Sequence, residues 1–319
     1  MVVKFMFWFC AAAALYSYFL YPGVLWALVR LRRSRPSLGG GRPGRISIII
    51  AARNEEGKMA AKLENTLSLQ PGAAEVEILV ASDASDDATD HIVRSFESRG
   101  VRLVRSPERN GKEYAQALAM ASSVGDVMVF SDAGTVLPPD SLRRLEEAFD
   151  DPRVGAVSSV DRFLTATGEV EGEGLYVRYE MWLRALESRV GGLVGLSGSF
   201  FAARRQVCEG WDTRSPSDFN TALSCARKGL RAISDPDVVG VYQNLANPAN
   251  EYRRKVRTVV RGLTALFRNL DILNPLRFGV FAWQAWSHKV MRWGVPFFMI
   301  GMLGTSASLA QGSPFFQLI

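Results

Sequence analysis

The chain opens on an almost unbroken apolar and aromatic run, residues 5–29, interrupted only by Pro22-Gly23. That length is enough to span a bilayer. A cleaved signal peptide with Lys4 in its charged region is the alternative, but the run is too long and no small-x-small cleavage site follows it. From Ile46 onward short apolar runs alternate with amphipathic stretches. Residues 46–52 are continuously apolar apart from Ser47, as in a strand buried on both faces of a parallel sheet. Helical spacing over 58–69 stops at Pro71-Gly72. Further strands are predicted at 76–81, 101–104, 127–130 and 154–160, with helices at 88–98, 112–123 and from Pro138-Pro139 to about 149. Such alternation predicts right-handed βαβ units, a Rossmann-like, mostly parallel sheet sandwiched by helices.

The end of the chain changes character again. Val256, Val259, Val260, Leu263, Leu266, Phe267 and Leu270 recur at helical spacing, while Arg253, Arg257, Arg261 and Arg268 fall largely outside that stripe. A basic amphipathic helix of this kind lies in a membrane interface. Residues 278–286 are apolar and aromatic, His288-Lys289 and Arg292-Trp293 resemble interface anchors, and 294–309 form a second expected membrane segment. A new apolar run at 315–319 stops after five residues, too short to cross, so a fragment or a missing terminal helix is expected.

Charge supports this division. Arg30, Arg32, Arg33, Arg35, Arg42 and Arg45 follow the first apolar run among Gly and Pro, which marks the cytoplasmic side. The net charge of +6 therefore points to a membrane surface and not to nucleic acid, whose binders interleave basic residues with aromatics on the folded domain. Cys10, Cys208 and Cys225 have neither metal spacing nor a disulfide framework. With two histidines in 319 residues, a His-rich metal site or a Ser-His-Asp triad is improbable, and His91 reads as a solvent-facing helix residue. No G-x-G-x-x-G follows the first strand, which disfavours a dinucleotide-binding dehydrogenase.

Candidate chemistry collects where strands end. The first predicted strand runs into Ala52-Arg53-Asn54-Glu55, the second into Ser82-Asp83-Ala84-Ser85, the third into Arg109-Asn110-Gly111-Lys112, and the fourth into Ser131-Asp132-Ala133-Gly134. Asp218 opens a later helical stretch. In open parallel sheets, ligands bind beyond the carboxyl ends of the strands. Taken singly, each turn is also what a cap or a solvated loop looks like. Asp218 as a plain helix cap, Asp132 as an Asx turn and Arg254 as an interface anchor remain open alternatives.

In this order the turns resemble the family 2 inverting glycosyltransferases of GT-A fold, and more closely their membrane-embedded branch of cellulose, hyaluronan and related polysaccharide or glycolipid synthases. The resemblance covers roughly 45–309. It implies that Ala52, Asn54, Glu55 and Asp83 bind the nucleoside, that Lys112 lies near the nucleotide, and that Asp132 is the first acid of a metal-binding D-x-D for Mg²⁺ or Mn²⁺. Residues 198–205 resemble an acceptor-side segment, and Asp218 matches the catalytic base. The D-x-D reads Asp132-Ala133-Gly134, without its second acid, and the family's Q-x-x-R-W reads Glu251-Tyr252-Arg253-Arg254-Lys255, keeping Arg254 as the catalytic cation without the tryptophan.

The implied layout is an N-terminal transmembrane anchor (1–29), a basic linker (30–45), a cytosolic GT-A domain (46–245), an interface helix (246–271) and a C-terminal membrane region (272–319). The implied activity is transfer from a nucleotide-sugar, a UDP-sugar by preference, to a lipid or glycan acceptor. A multi-pass inner (plasma) membrane enzyme is expected, with no nucleic-acid partner. A non-catalytic nucleotide-binding or scaffold subunit of a polysaccharide synthesis or export complex is the alternative.

Overall fold

A computed structural model describes residues 1–31, 37–164, 174–243, 248–310 and 316. Its centre is one seven-stranded sheet: β1 (Arg45–Ala52), β2 (Glu75–Ser82), β3 (Val101–Arg105), β4 (Val127–Asp132), β5 (Val154–Leu164), β6 (Phe200–Arg204) and β7 (Arg231–Gln243). The order across the sheet is β3-β2-β1-β4-β6-β5-β7. β1 pairs in parallel with β2 and β4, β2 with β3, and β5 with β7, while β6 runs antiparallel to both its neighbours. The expected mostly parallel sheet is therefore present. All strands but β6 bring their carboxyl ends to one edge, and β6 enters from that edge.

Side-chain alternation places the core. Ile48 and Ile50 of β1 pack with Met59, Leu63, Leu142 and Phe149 on one face, whereas Ile49 packs with Ala115, Ala119, Phe130 and Phe201 on the other. Successive side chains of a strand point to opposite faces, so an unbroken apolar strand needs a helical layer on each side. Two strands, β6 and β7, lie outside the sequence expectation. β7 holds Pro236 and shifts register against β5, but it is an edge strand, where a missing N–H costs no ladder bond.

Three helical elements frame this block. The run Val2–Leu31 contains a π-helical turn at Tyr16–Leu20, and its Tyr21 and Leu25 bury against Leu183, Leu186 and Val190 of the helix Leu175–Val190. The helix Met291–Leu309 lies along Val2–Leu15. A Cβ at Gly301 would stand 2.9 Å from Cys10 Sγ, so a larger residue there would have to push the thiol aside. Phe5, Trp8, Phe9 and Phe19 on the first helix, and Phe297, Ile300 and Leu303 on the second, remain exposed. The helix Pro248–Arg268 leaves Val259, Val260 and Phe267 exposed but buries Ala265 and Leu266 against Phe219 and Leu223.

One expectation is reduced. Among the described residues, only the 30-residue helix Val2–Leu31 is long and apolar enough to cross a membrane. The segment expected at 294–309 is helical, but Arg292, three glycines, Thr305, Ser306 and Ser308 dilute the helix that contains it. The linker arginines Arg32, Arg33 and Arg35 and the expected turn at 311–314 lie outside the described residues.

Candidate active site

The first two strand-end turns are stitched into one surface. Asp83 N–H donates to Ala52 O at 2.9 Å, and Arg53 Nη1 donates to Asp83 O at 2.8 Å and to Ala84 O at 3.2 Å. Asn54 adopts a left-handed φ of 53°, a conformation Asn tolerates better than most side chains. From there its Oδ1 accepts from Asp86 N–H at 3.0 Å, while its own N–H donates to Ser85 Oγ at 3.2 Å. Glu55 N–H donates to Thr89 Oγ1 at 2.8 Å. Ala84 also sits at positive φ, 50°, which costs on the order of 1–3 kcal/mol and persists only where surroundings impose it.

Asp83 extends this surface to the third turn. It is buried, and its Oδ1 accepts from the backbone N–H groups of Asn110 at 2.8 Å and Gly111 at 3.0 Å. Gly111 has φ 94°, so the bend that presents both donors and starts the helix Lys112–Ala121 requires glycine.

Lys112 then crosses to the fourth turn. Its Nζ donates to Asp132 Oδ1 at 2.5 Å and to Gly198 O at 3.0 Å. Asp132 ends β4, and its N–H donates to Ser199 O at 2.9 Å, which ties it to the segment leading into β6. Beneath lies Lys62, which is buried and donates to Ser131 Oγ at 2.7 Å and Thr135 O at 2.6 Å. Burial pulls the Lys62 ammonium down to about 7, opposed by the nearby Asp132 charge.

Asp218 is the second residue of the helix Ser217–Arg227 and not its cap, which is Pro216. Its Oδ1 accepts from Phe219 N–H at 2.9 Å. Protein surrounds the carboxylate, although it keeps some surface open to a cavity. Burial dominates and raises its pKa, while the Phe219 N–H, Lys112, Lys289 and Arg261 pull it back. The cavity, about 220 Å³, is lined by Lys112, Glu113, Arg184, Gly198, Arg257, Arg261, Lys289 and Trp293 among others. Arg261 Nη2 pairs with buried Glu113 Oε1 at 2.6 Å.

The structure therefore joins Asp83 to Asp132 through the Asn110-Gly111-Lys112 loop, whose backbone N–H groups bind the first and whose Lys112 binds the second, and places Asp218 in a cavity that Lys112 also lines. Ala52, Asn54 and Glu55 lie at the adjoining surface. Arg254 falls within the helix Pro248–Arg268, and its side chain lies outside the described residues. Sequence reasoning missed Lys62, Glu113 and Arg184, and it took Arg257, Arg261 and Lys289 for interface residues. Helical spacing held a signal, since positions 254, 257 and 261 share one face. A larger hollow, about 870 Å³, lies at the opposite edge of the sheet, near the starts of β5 and β7. It holds none of the strand-end acids, and its Arg153 and Arg231 pair with Asp151, so the Asp218 cavity is the better candidate.

A metal can be tested against these residues. Among the described residues no group of three His, Cys, Asp or Glu converges. Asp132 is partly exposed and has one oxygen in the Lys112 pair, which leaves Oδ2. Mg²⁺ keeps several waters and takes only one or two protein carboxylates where phosphates supply the rest. One acid fits that minimal pattern.

Residues 47–211, just over half of the chain, match the family description "Glycosyl transferase family 2". The chain belongs to that family. Its fold is GT-A-like. A β-monoglucosyldiacylglycerol synthase of Trichormus variabilis is 25% identical over 205 residues, 61% of this chain and 43% of that protein. An N-acetylglucosaminyltransferase of Rhizobium meliloti is 25% identical over 262 residues, 74% of this chain and 58% of its own. The chain thus spans about half the length of these curated relatives. Among solved structures, a mannosyltransferase from Pyrobaculum calidifontis in complex with GDP-Man and Mn²⁺ aligns with TM-score 0.77 and 24% identity, covering 98% of this chain and 88% of that one.

Proposed function

We propose that this glycosyltransferase is membrane-bound and inverting, and that it moves a sugar from a nucleotide-sugar, by preference a UDP-sugar, to a lipid or glycan acceptor, within the membrane-embedded branch that includes polysaccharide and glycolipid synthases. The observation that carries the reading is the placement of Asp218, held in a cavity next to the Lys112–Asp132 pair at the carboxyl edge of the sheet. The exposed apolar faces of the N- and C-terminal helices and of the helix Pro248–Arg268 support the membrane, and so does the glycolipid synthase among the relatives. The proposed layout keeps residues 1–29 as anchor, 30–45 as cytoplasmic linker, 46–245 as catalytic domain and 246–271 at the interface of the inner (plasma) membrane. It assigns 272–319 to the membrane region.

Each residue then has a task. The Ala52-Asn54-Glu55 turn and Asp83 form the nucleoside surface. Lys112 places a cation beside the diphosphate, where negative charge grows as the bond to the sugar breaks. Asp132 Oδ2 would hold Mg²⁺ or Mn²⁺, which when bound adds Lewis-acid stabilisation of that leaving group. Asp218 accepts the proton of the acceptor hydroxyl as its oxygen attacks the anomeric carbon, a general-base contribution of roughly 10²–10⁴-fold. The new C–O bond forms opposite the breaking one, so one displacement inverts the centre, and the nucleoside diphosphate leaves with the bonding pair. Arg254 is the remaining proposed catalytic cation.

Membranes holding the full chain, offered a panel of nucleotide-sugars, should release nucleoside diphosphate from one of them, and Asp218→Asn should abolish that release while nucleotide still binds. Wild-type release by this variant would overturn the assignment of the base.

A further inference from the structure

The cavity that holds Asp218 carries more positive charge than the chain neutralises. Five cations line it, Lys112, Arg184, Arg257, Arg261 and Lys289, against two acids, Glu113 and Asp218. Lys112 pairs with Asp132 and Arg261 with Glu113. Among the described residues, Arg184, Arg257 and Lys289 have no carboxylate within ion-pair distance. Arg184 gives one hydrogen bond, from Nη2 to Ser158 Oγ at 2.6 Å, and its Nε is buried with no partner. Lys289 stands over the rings of Phe219 and Trp293, 5.7 and 6.0 Å from their centroids, and its Nζ lies 3.3 Å from where a Cβ on Gly195 would be.

This placement is built into the fold. The neighbouring His288 is buried, with Nδ1 2.6 Å from Glu187 Oε1, and the same oxygen accepts from Tyr21 OH at 2.5 Å. Arg292, one turn on, pairs with Glu180 at 2.5 Å. The turn carrying Lys289 is thus fixed to the helix Leu175–Val190, and through Glu187 to the first helix, by bonds that leave Lys289 itself uncommitted. Holding cations out of water without a partner costs several kcal/mol, which a bound anion would offset.

We propose that the acceptor is a hydroxyl-bearing lipid with a phosphate close to its reacting hydroxyl, the phosphate seated on Lys289 and Arg184. The inference rests on Asp218 being the base of the proposed reaction. Lys112 and Asp132 belong to the donor side, where the nucleotide diphosphate is expected, so the unpaired cations are left for the acceptor. Trp293 and the helix Pro248–Arg268, whose Val259, Val260 and Phe267 are exposed, border the same cavity and suit acyl chains above a charged head group. At about 220 Å³ the cavity falls short of the roughly 300–1,000 Å³ of drug-sized sites, in keeping with a head group and not with a run of sugars.

The test is calorimetric titration of the full chain in neutral detergent with short-chain phosphatidylglycerol, short-chain diacylglycerol and sn-glycerol 3-phosphate, each with and without UDP. Phosphatidylglycerol should bind best. Lys289→Gln and Arg184→Gln should each weaken it about 10- to 100-fold, as expected for losing a charge-assisted hydrogen bond. Diacylglycerol and UDP affinities should stay within about twofold, less than the tenfold step that 1.4 kcal/mol brings. Lys289→Arg should recover most of the loss. Diacylglycerol binding as tightly as phosphatidylglycerol would overturn the phosphate, and glycerol 3-phosphate matching phosphatidylglycerol would overturn the lipid. Equal losses of UDP and phosphatidylglycerol in the two variants would assign these cations to the donor and also overturn the proposal. Phosphatidylglycerol selectivity without any UDP binding would support the anionic site while removing the nucleotide reading, so the two failures are distinguishable.

Discussion

Lys112 Nζ lies 2.5 Å from Asp132 Oδ1, so the one acid kept from the expected metal motif already carries a cation from the neighbouring loop. The pair partly neutralises Asp132 before any metal arrives. The third position of that motif is Gly134, where a Cβ would meet nothing within 4 Å. Gly134→Asp should therefore be accommodated and add a second carboxylate. Half-maximal activity should then need roughly tenfold less Mg²⁺ or Mn²⁺, about 1.4 kcal/mol of added binding. Asp132→Ala should do the reverse and weaken nucleotide binding mainly when metal is present. Titration of both variants with Mn²⁺ checks this, and equal nucleotide losses with and without metal in Asp132→Ala would remove Asp132 from the metal site.

Asp83 should behave differently. Its Oδ1 is held by the Asn110 and Gly111 N–H groups, so Asp83→Ala leaves two partly exposed donors to water, at a cost of about 0.5–1.5 kcal/mol each. The loop that presents Lys112 should loosen, and UDP affinity should fall by a similar factor with and without metal. Equilibrium binding under both conditions measures this. A loss confined to metal-containing buffer would mean that Asp83 and Asp132 had been assigned in the wrong order.

The raised pKa of Asp218 fixes a sign for the activity profile. Burial favours the protonated carboxyl, and only the carboxylate can accept a proton. Activity should therefore fall on the acid side with a midpoint above the usual carboxylate range, near 4. A pH profile of transfer at saturating donor checks this. A midpoint at or below 4, with the protein still folded, would contradict a base desolvated as Asp218 is.

Much of this arrangement was legible in the chain and part of it was not. The parallel strands announce themselves because β1 and β4 are buried on both faces and carry few polar residues, and the chemistry follows at their ends in fixed order. β6 was missed because residues 198–205 were read as an acceptor-side segment, and β7 because it contains Pro236, tolerable only at an edge that sequence does not reveal. Arg257, Arg261 and Lys289 were read only as interface residues for another reason. A cation on an amphipathic helix looks the same whether it faces lipid head groups or a cavity, and only the docking of Ala265 and Leu266 on Phe219 and Leu223 turns that helix towards Asp218.

Lys62 gives a prediction in stability and not in activity. Its folded pKa is about 7, against about 10.4 for an unperturbed lysine. Between those values the unfolded chain binds the extra proton, so stability should rise with pH across roughly 7 to 10, and this contribution should be absent below 7. The slope should vanish in Lys62→Met, which should also lose stability because Thr135 O and Ser131 Oγ lose their donor, about 1–3 kcal/mol per unsatisfied group. Denaturant melts of both proteins from pH 6.5 to 9.5 supply the comparison, and parallel curves would show that Lys62 does not titrate there.

Glu187 provides the last prediction, because one buried carboxylate joins three helices. Its Oε1 meets Tyr21 OH at 2.5 Å and His288 Nδ1 at 2.6 Å, while the residue is 1% exposed. Removing one partner from a buried charged network is far costlier than the net worth of the pair, about 3–5 kcal/mol. Glu187→Ala should lower stability by that order. Tyr21→Phe, which removes one donor and keeps the ring against Trp283, should cost only about 0.5–1.5 kcal/mol. Because the first helix docks here through Tyr21 and Leu25, Glu187→Ala should also speed proteolysis of the chain following Leu31. Melting and limited proteolysis in one detergent test both effects. Equal stabilities for Glu187→Ala and Tyr21→Phe would mean that the carboxylate is a bystander and that apolar packing alone docks the first helix.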